Sequence, residues 1–401
     1  MPELDHQDGA RRALVVLLGI VYVNIAGFGL VIPLLPFYGR AFHASAFDIS
    51  VMFAAFSLGQ LFAEAFWGRL SDRIGRRPVL LATIIGSALA YAALAFAPNM
   101  AWACALRLVG GLTSGNISTI QGYLADVTPV ARRPGRMGLL GAAFSMGFVT
   151  GPAIGGLLAR PSLGVTGFRL PILAAAGLAL LAALGVFLFV RETRAASHMD
   201  IPPTPRLQSL AEALRHPVIA RVLMTSFIVV SGFAGIEATY GLWTQARFGW
   251  GPRQIGFAFM AVGVSGALAQ GLVTGPLARR HGAARVLTAG LALICLGSIV
   301  QMISPIWPVA IAGFYIVSFG QSLTFPNINA LISQASPPER QGEMLGLNMA
   351  GNCLARIGGP LYAGTVFTHV SIAAPFATAA ALAVPAMITA TQVARRTRTA
   401  L

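Results

Sequence analysis

Twelve apolar segments, each long enough to cross a lipid bilayer, dominate the chain. They lie near residues 13–36, 49–67, 78–97, 100–125, 137–158 and 168–190, and then near 222–245, 255–277, 284–303, 307–333, 345–368 and 372–393. A crossing needs roughly 20 apolar residues, and it must be helical because lipid cannot hydrogen-bond an open backbone. Only 10% of the 401 residues are charged, against about 25% in soluble domains. The sequence therefore excludes a water-soluble enzyme and predicts an all-α integral membrane protein with twelve transmembrane helices.

A polar segment divides these spans into two groups of six. Residues 191–221 contain Pro202, Pro203 and Pro205 among charged side chains, a composition typical of linkers. We therefore predict an N-terminal six-helix bundle over residues 1–190, a cytoplasmic linker over 191–221 and a C-terminal six-helix bundle over 222–401.

The two halves resemble each other in sequence. Gly68–Leu80 is similar to Gly275–Leu287 at an offset of 207 residues. At an offset of 208, Thr128–Pro129 matches Ser336–Pro337, and Gly151–Pro152 matches Gly359–Pro360. Repeated matches at nearly one offset indicate duplication and predict two pseudo-symmetric halves. Transporters built in this way bind substrate at the interface of the halves and expose it to each side in turn.

The charge distribution predicts the orientation in the membrane. The net charge is +15, and all 28 basic residues are arginines. With the N-terminus inside, 21 arginines fall in cytoplasmic segments, five fall outside and two lie within spans. The positive-inside rule thus predicts that both termini are cytoplasmic. Without a soluble domain to present a basic patch, nucleic-acid binding is not expected. The three scattered cysteines predict neither a disulfide framework nor a metal site.

The loop after the second span carries the most specific motif. It reads Gly-Arg-Leu-Ser-Asp-Arg-Ile-Gly-Arg-Arg over residues 68–77 and resembles the signature loop of the major facilitator superfamily. Glycines permit a tight turn, an aspartate is favourable at a helix N-terminus, and arginines pair with carboxylates or lipid headgroups. The resemblance implies a cytoplasmic gate formed by Gly68, Asp72, Arg73, Gly75, Arg76 and Arg77.

Two further spans extend the resemblance. In span four, Arg107–Gly111 resembles the intramembrane arginine motif of this superfamily. Span five is similar to the antiporter motif of its proton-coupled drug exporters. Small residues four apart let helices approach closely and a proline bends the span, so ordinary packing is the alternative explanation. The residues of this motif are Gly147, Gly151, Pro152, Gly155 and Gly156.

Within the superfamily, the first half looks like the bacterial tetracycline/proton antiporters. The likeness is carried by Asn24–Pro36 and Tyr123–Thr128, among other segments. Those antiporters have intramembrane aspartates in spans one, three and nine. The matching positions here are Asn24, Ala90 and residues 292–297, which contain no acid. The proton route of the tetracycline exporters therefore does not transfer unchanged.

Two acids, Glu64 and Glu237, lie within predicted spans. Ionisable groups are costly in lipid and mark functional sites by default, so both are candidates for proton coupling. Arg107 and Arg356 are the corresponding buried cations, and two structural ion pairs are the alternative interpretation. Arg356 is also a candidate for binding an anionic substrate group or for displacing the proton from Glu237. We favour Glu237 as the proton carrier.

A central substrate cavity is expected to be lined by polar and aromatic side chains. Asn348, Asn352 and Arg356 follow one helix face at steps of four, while Tyr240 and Trp243 follow Glu237 by three and six residues. Interhelical hydrogen bonds and helix packing are the alternatives for each of them. The full set is Asn24, Gln60, Arg107, Asn116, Gln121, Phe233, Tyr240, Trp243, Gln321, Phe325, Asn348, Asn352 and Arg356.

The resemblance implies proton-coupled efflux of amphipathic small molecules, such as antibiotics, by alternating access across a bacterial inner membrane. It implies a monomer that is driven by the proton gradient without a cofactor and whose partners are substrate, protons and membrane lipids. A specific exporter of a metabolite, sugar or siderophore is the alternative within the class. A lipid flippase or a membrane enzyme is the alternative outside it, although no span carries a histidine cluster or a Ser-His pair.

Overall fold

The computed structural model describes residues 2–114, 117–128, 133–192, 206–337 and 340–399, and within them it is helical without strands. The helices of the first half are α1 (Pro2–Val31), α2 (Leu35–Ala41), α3 (Ala46–Ile74), α4 (Arg76–Leu94), α5 (Met100–Leu112), α6 (Ile117–Asp126), α7 (Arg133–Leu158) and α8 (Arg169–Phe189). After them come α9 (Arg206–Arg215), α10 (Pro217–Phe248), α11 (Pro252–Leu268), α12 (Gly275–His281), α13 (Ala283–Ile303), α14 (Trp307–Ala335), α15 (Gln341–His369) and α16 (Ala374–Thr399).

Most predicted spans coincide with a long apolar helix. In the described part of the chain, ten helical stretches are long and apolar enough to cross a membrane. The helix α15 is not among them, although it has 29 residues, because its polar side chains lower its hydropathy. A π-helical turn over Ala269–Thr274 joins α11 to α12 within one of these stretches.

The segment predicted as one span over residues 100–125 contains two helices, α5 and α6. The first ends at Leu112, where the hydroxyls of Thr113 and Ser114 donate to the carbonyls of Gly110 and Gly111. Hydroxyl side chains that bond nearby carbonyls compete with helix continuation, and glycines add backbone freedom. Hydropathy alone does not register this interruption because the flanking residues are apolar.

Contacts divide the chain into two compact units. One comprises residues 1–44, 55–199 and 251–260, and the other comprises 45–54, 200–250 and 261–401. In the first unit, α1 packs against α7 and α8, and α4 packs against α5 and α8. In the second, α10 packs against α15 and α16, and α13 packs against α14 and α16. The two units thus repeat one packing scheme, as duplication of a six-helix half predicts.

Candidate functional site

An ion pair between α10 and α15 lies at the centre of the candidate site. The Nη2 of Arg356 donates to Oε2 of Glu237 at 2.9 Å. The Glu237 side chain is 7% exposed and that of Arg356 is 31% exposed. A buried carboxylate requires such a partner, because removal of an unpaired charge from water is costly. Of the two groups, Arg356 is the more accessible.

The polar face of α15 continues from this pair along the helix. The hydroxyl of Ser226 on α10 donates to Oδ1 of Asn352 at 2.9 Å. One turn further, Nδ2 of Asn348 donates to Oδ1 of Asn329 on α14 at 3.3 Å. The face predicted from the four-residue spacing therefore points into the bundle and joins α15 to two neighbouring helices. In an apolar environment such interhelical hydrogen bonds fix helix rotation.

In the first half, Arg107 and Glu64 have different surroundings. The Arg107 guanidinium lies 4.2 Å from the centroid of the Phe56 ring, and the residue is 3% exposed. Glu64 hydrogen-bonds Gln60, one turn earlier on α3, and its Oε1 is buried without a hydrogen-bond partner. The structure thus shows an ion pair for Glu237 and Arg356, and a cation–π contact for Arg107.

The aromatic candidates pack between helices. Tyr240 and Trp243 are 0% and 2% exposed. Their rings contact Phe314 at 4.3 Å and Phe376 at 4.7 Å, respectively, between centroids. In this structure both rings contribute to packing of α10 against α14 and α16.

The remaining cavity candidates are dispersed. Phe233 and Gln321 line one small gap between α10, α13, α14 and α16. Phe325 packs against the apolar core of the second unit. Asn24 is half-buried and Gln121 is exposed, while Asn116 lies outside the described residues. Among the residues that the structure describes, no three His, Cys, Asp or Glu side chains cluster as metal ligands.

The predicted gate loop forms a charged network around Arg76. Its guanidinium pairs with Asp72 at 3.0 Å and with Asp126 at 3.3 Å, and it donates to Oγ of Ser71 at 2.7 Å. Gly68 lies in the last two turns of α3, and Arg73, in the final turn, is exposed. Within the motif, Asp72 therefore pairs with Arg76, as the attraction of opposite charges predicts, whereas Arg77 donates to the carbonyl oxygen of Phe187.

Glu192 completes this network, and the sequence did not single it out as a site residue. Its carboxylate oxygens accept the backbone N–H groups of Arg76 and Arg77 at 2.9 and 3.0 Å. Gly75, at φ +101°, forms the turn before α4, and any Cβ there would lie 2.5 Å from Oε2 of Glu192. A carboxylate thus caps the N-terminus of α4 from a distant part of the chain. The available signal was a glycine turn followed by a helix start without an Asp, Ser or Thr cap.

The antiporter-like motif brings α7 close to α1. A Cβ on Gly151 would lie 2.5 Å from the carbonyl oxygen of Ala26, and one on Gly155 would lie 2.3 Å from that of Leu30. A Cβ on Gly147 would lie 2.8 Å from Cγ2 of Ile25 and 2.9 Å from the backbone nitrogen of Ala26, and Pro152 lies inside α7. Gly156 instead faces the first turn of α11, where a Cβ would meet the carbonyl oxygen of Pro252 at 2.6 Å. Each glycine of this motif is therefore required by a close backbone approach.

Comparisons with known proteins agree with this architecture. The family model described as Major Facilitator Superfamily matches residues 17–273 and 222–400. The class C tetracycline resistance protein of Escherichia coli is 33% identical over 368 residues, covering 89% of this chain and 90% of that protein. Multidrug resistance protein 2 of Bacillus subtilis (strain 168) is 26% identical over 380 residues, covering 91% of each.

A solved structure supports the fold independently. A bacterial homologue of the human lysosomal transporter Spinster aligns with a TM-score of 0.79 at 15% identity, covering 98% of this chain and 97% of that one. The prediction of an all-α major facilitator fold is thereby confirmed. The chain is a multi-pass membrane transporter that belongs to the Major Facilitator Superfamily.

Proposed function

We propose that the chain exports amphipathic small molecules, such as antibiotics, across the bacterial inner membrane in exchange for protons. The substrate class is supported by the similarity to the class C tetracycline resistance protein and to Multidrug resistance protein 2. Alternating access between the halves is supported by the repeated packing scheme of the two units. We also propose a monomer that needs no cofactor and has both termini in the cytoplasm.

The Glu237–Arg356 ion pair is the observation that carries the coupling mechanism. The carboxylate is almost fully buried and has one strong partner, 2.9 Å away. An ionised Glu237 binds the Arg356 guanidinium, whereas a protonated Glu237 is neutral and releases Arg356. A cationic substrate group that reaches Glu237 competes with both the proton and Arg356. Competition of substrate and proton for one group is what an exchange mechanism requires.

The proposed carrier differs from that of the tetracycline exporters. Their intramembrane aspartates correspond here to Asn24, Ala90 and residues 292–297, and none of these positions has an acid. Within the described spans, Glu237 and Glu64 are the carboxylates left for this role. Glu64 remains the second candidate because one of its oxygens is buried without a hydrogen-bond partner.

Proteoliposomes with an imposed pH gradient and an internal pH dye test the proposal. Tetracycline and a series of amphipathic cations are added to the wild type, Glu237→Gln and Glu64→Gln. We expect drug-evoked proton flux in the wild type and Glu64→Gln, and its loss in Glu237→Gln. Loss in Glu64→Gln alone would assign the carrier to α3. Drug transport that does not respond to the pH gradient would refute proton coupling altogether.

The greater exposure of Arg356 favours a second candidate, transport of an anionic small molecule. A substrate carboxylate or phosphate that binds Arg356 would displace Glu237, and the displaced buried carboxylate would take up a proton. Substrate and proton would then be bound together and move in the same direction. The same liposome assay separates the two candidates, because substrate-driven pH changes have opposite signs in exchange and in cotransport.

A further inference from the structure

A cavity of about 510 Å³ lies at the end of the second unit that carries the turn between α12 and α13. Arg279, His281 and Arg285 line it from that turn, and Asn327 and Gln334 line it from α14. No acidic side chain of the described residues is among its lining groups. The cavity is therefore positively charged and large enough for a small polar ligand.

The internal repeat relates this cavity to the charged network of the first half. Glycines 75 and 282 both have positive φ, +101° and +84°, and each directly precedes a long helix. At the offsets of the repeat, Ser71, Asp72, Arg76 and Asp126 correspond in that order to Ala278, Arg279, Ala283 and Gln334. All four counterparts line the cavity. The ion network of the first half is thus replaced in the second half by an open cavity, and Arg279 stands at the position that corresponds to Asp72.

The helix start after this turn holds a carboxylate in the first half. In the first half, the carboxylate of Glu192 accepts two N–H groups in the first turn of α4. The N-cap residue is a glycine in both halves, Gly75 before α4 and Gly282 before α13, so neither helix is capped by its own N-cap side chain. The second half therefore repeats the turn and the helix start that hold an anion in the first half, and adds Arg279 and Arg285.

We propose that this cavity binds an anionic ligand with phosphate chemistry, which Arg279, Arg285 and His281 hold at the start of α13. The ligand occupies the place that the Glu192 carboxylate occupies in the first half. Arginines form forked hydrogen bonds with phosphate oxygens, and helix N-termini favour the same ions. The phosphate belongs either to the headgroup of an anionic phospholipid or to a free solute. This site is independent of the proposed export function.

Full-length protein in nanodiscs tests the site with two probes. Binding of phosphatidylglycerol is measured by native mass spectrometry, and binding of inorganic phosphate is measured by calorimetry in nanodiscs of phosphatidylcholine alone. The variants are Arg279→Gln and Arg285→Gln. Arg280→Gln is the matched control, because Arg280 is an exposed neighbour that does not line the cavity. We expect each cavity variant to weaken binding about tenfold and the control less than about twofold.

The outcomes separate the two sources of phosphate. Variant-sensitive binding of phosphatidylglycerol alone identifies a lipid site, and variant-sensitive binding of inorganic phosphate identifies a solute site. Equal weakening in all three variants would overturn the proposal, because it would indicate attraction to surface charge in general. Absence of binding for both probes would also overturn it. Arg279→Lys, which keeps the charge and loses the fork, provides a conservative variant and is expected to bind more weakly than the wild type and more tightly than Arg279→Gln.

Discussion

The contact between α3 and α5 offers a sharp test of the first unit. The two helices approach through reciprocal glycines, so that a Cβ on Gly111 would lie 2.1 Å from the carbonyl oxygen of Phe56. Gly59 faces the carbonyl oxygen of Leu108 at 2.3 Å in the same way. Ordinary contact begins at 3.4 Å. Gly111→Ala therefore forces the backbones apart by about 1.3 Å, and no flexible side chain is available to yield.

The expected cost is about 3 kcal/mol or more, the upper part of the range for overpacking. For a unit of this size the midpoint of thermal unfolding should fall by roughly 6–12 °C. The displacement also separates Arg107 from Phe56, because α5 carries the arginine and α3 carries the ring. We therefore expect Gly111→Ala to lower both the unfolding midpoint and the transport rate. The assay is thermal unfolding of the purified protein in detergent, followed by transport in liposomes.

Gly141→Ala is the control for this experiment. It has the same chemistry in α7, and its Cβ would meet nothing within 4 Å. Replacing a helical glycine by alanine at an open position should stabilise the protein by about 0.5–1 kcal/mol. A Gly111→Ala variant that unfolds within about 1 °C of the wild type would refute the close contact and the reasoning from it.

Three further changes have defined expectations. Arg356→Ala leaves the Glu237 carboxylate without its partner and should lower the free energy of unfolding by about 3–5 kcal/mol. The double variant that also carries Glu237→Gln should recover part of this loss. Equal unfolding midpoints of the single and double variants would contradict the pairing. Glu192→Ala removes the cap of α4 at a cost of about 1–2 kcal/mol, which faster hydrogen exchange in the first turn of that helix should report. Tyr38→Phe removes a buried hydrogen bond, 2.6 Å long, to the carbonyl oxygen of Leu94. The free energy of unfolding, measured by thermal denaturation, should fall by about 0.5–1.5 kcal/mol.

Hydropathy and spacing predict most of the fold from the sequence. Long apolar runs allow only helices in lipid, and the repeat at offsets of 207 and 208 anticipates the matching packing of the two units. Hydropathy failed where polar groups matter. It did not resolve the break between α5 and α6 at the Gly-Gly-Leu-Thr-Ser segment, although it did predict a span near 345–368, where α15 lies with its polar side chains turned inward.

The sequence was sufficient to select the residues of the candidate site but not to predict which of them contact each other. Rarity of charges in spans was enough to select Glu237 and Arg356, and four-residue spacing was enough to orient Asn348 and Asn352. Which acid meets which base depends on helix neighbours that are more than 100 residues apart in sequence. For the same reason the burial of Tyr240 between α14 and α16 was not visible from its own helix. Glu192 was missed because it caps a helix that begins 116 residues before it.

This long-range cap has a consequence for the order in which the protein is made. Synthesis proceeds from the N-terminus, so α4 leaves the ribosome well before Glu192 has been added to the chain. Until α8 and the three residues after it emerge, the first turn of α4 lacks the carboxylate that accepts its N–H groups, and the Gly75 turn lacks its contact with Glu192. The first half can therefore reach its final arrangement only after its sixth predicted span is complete. A nascent chain truncated before residue 192 should remain sensitive to protease at the turn after α3.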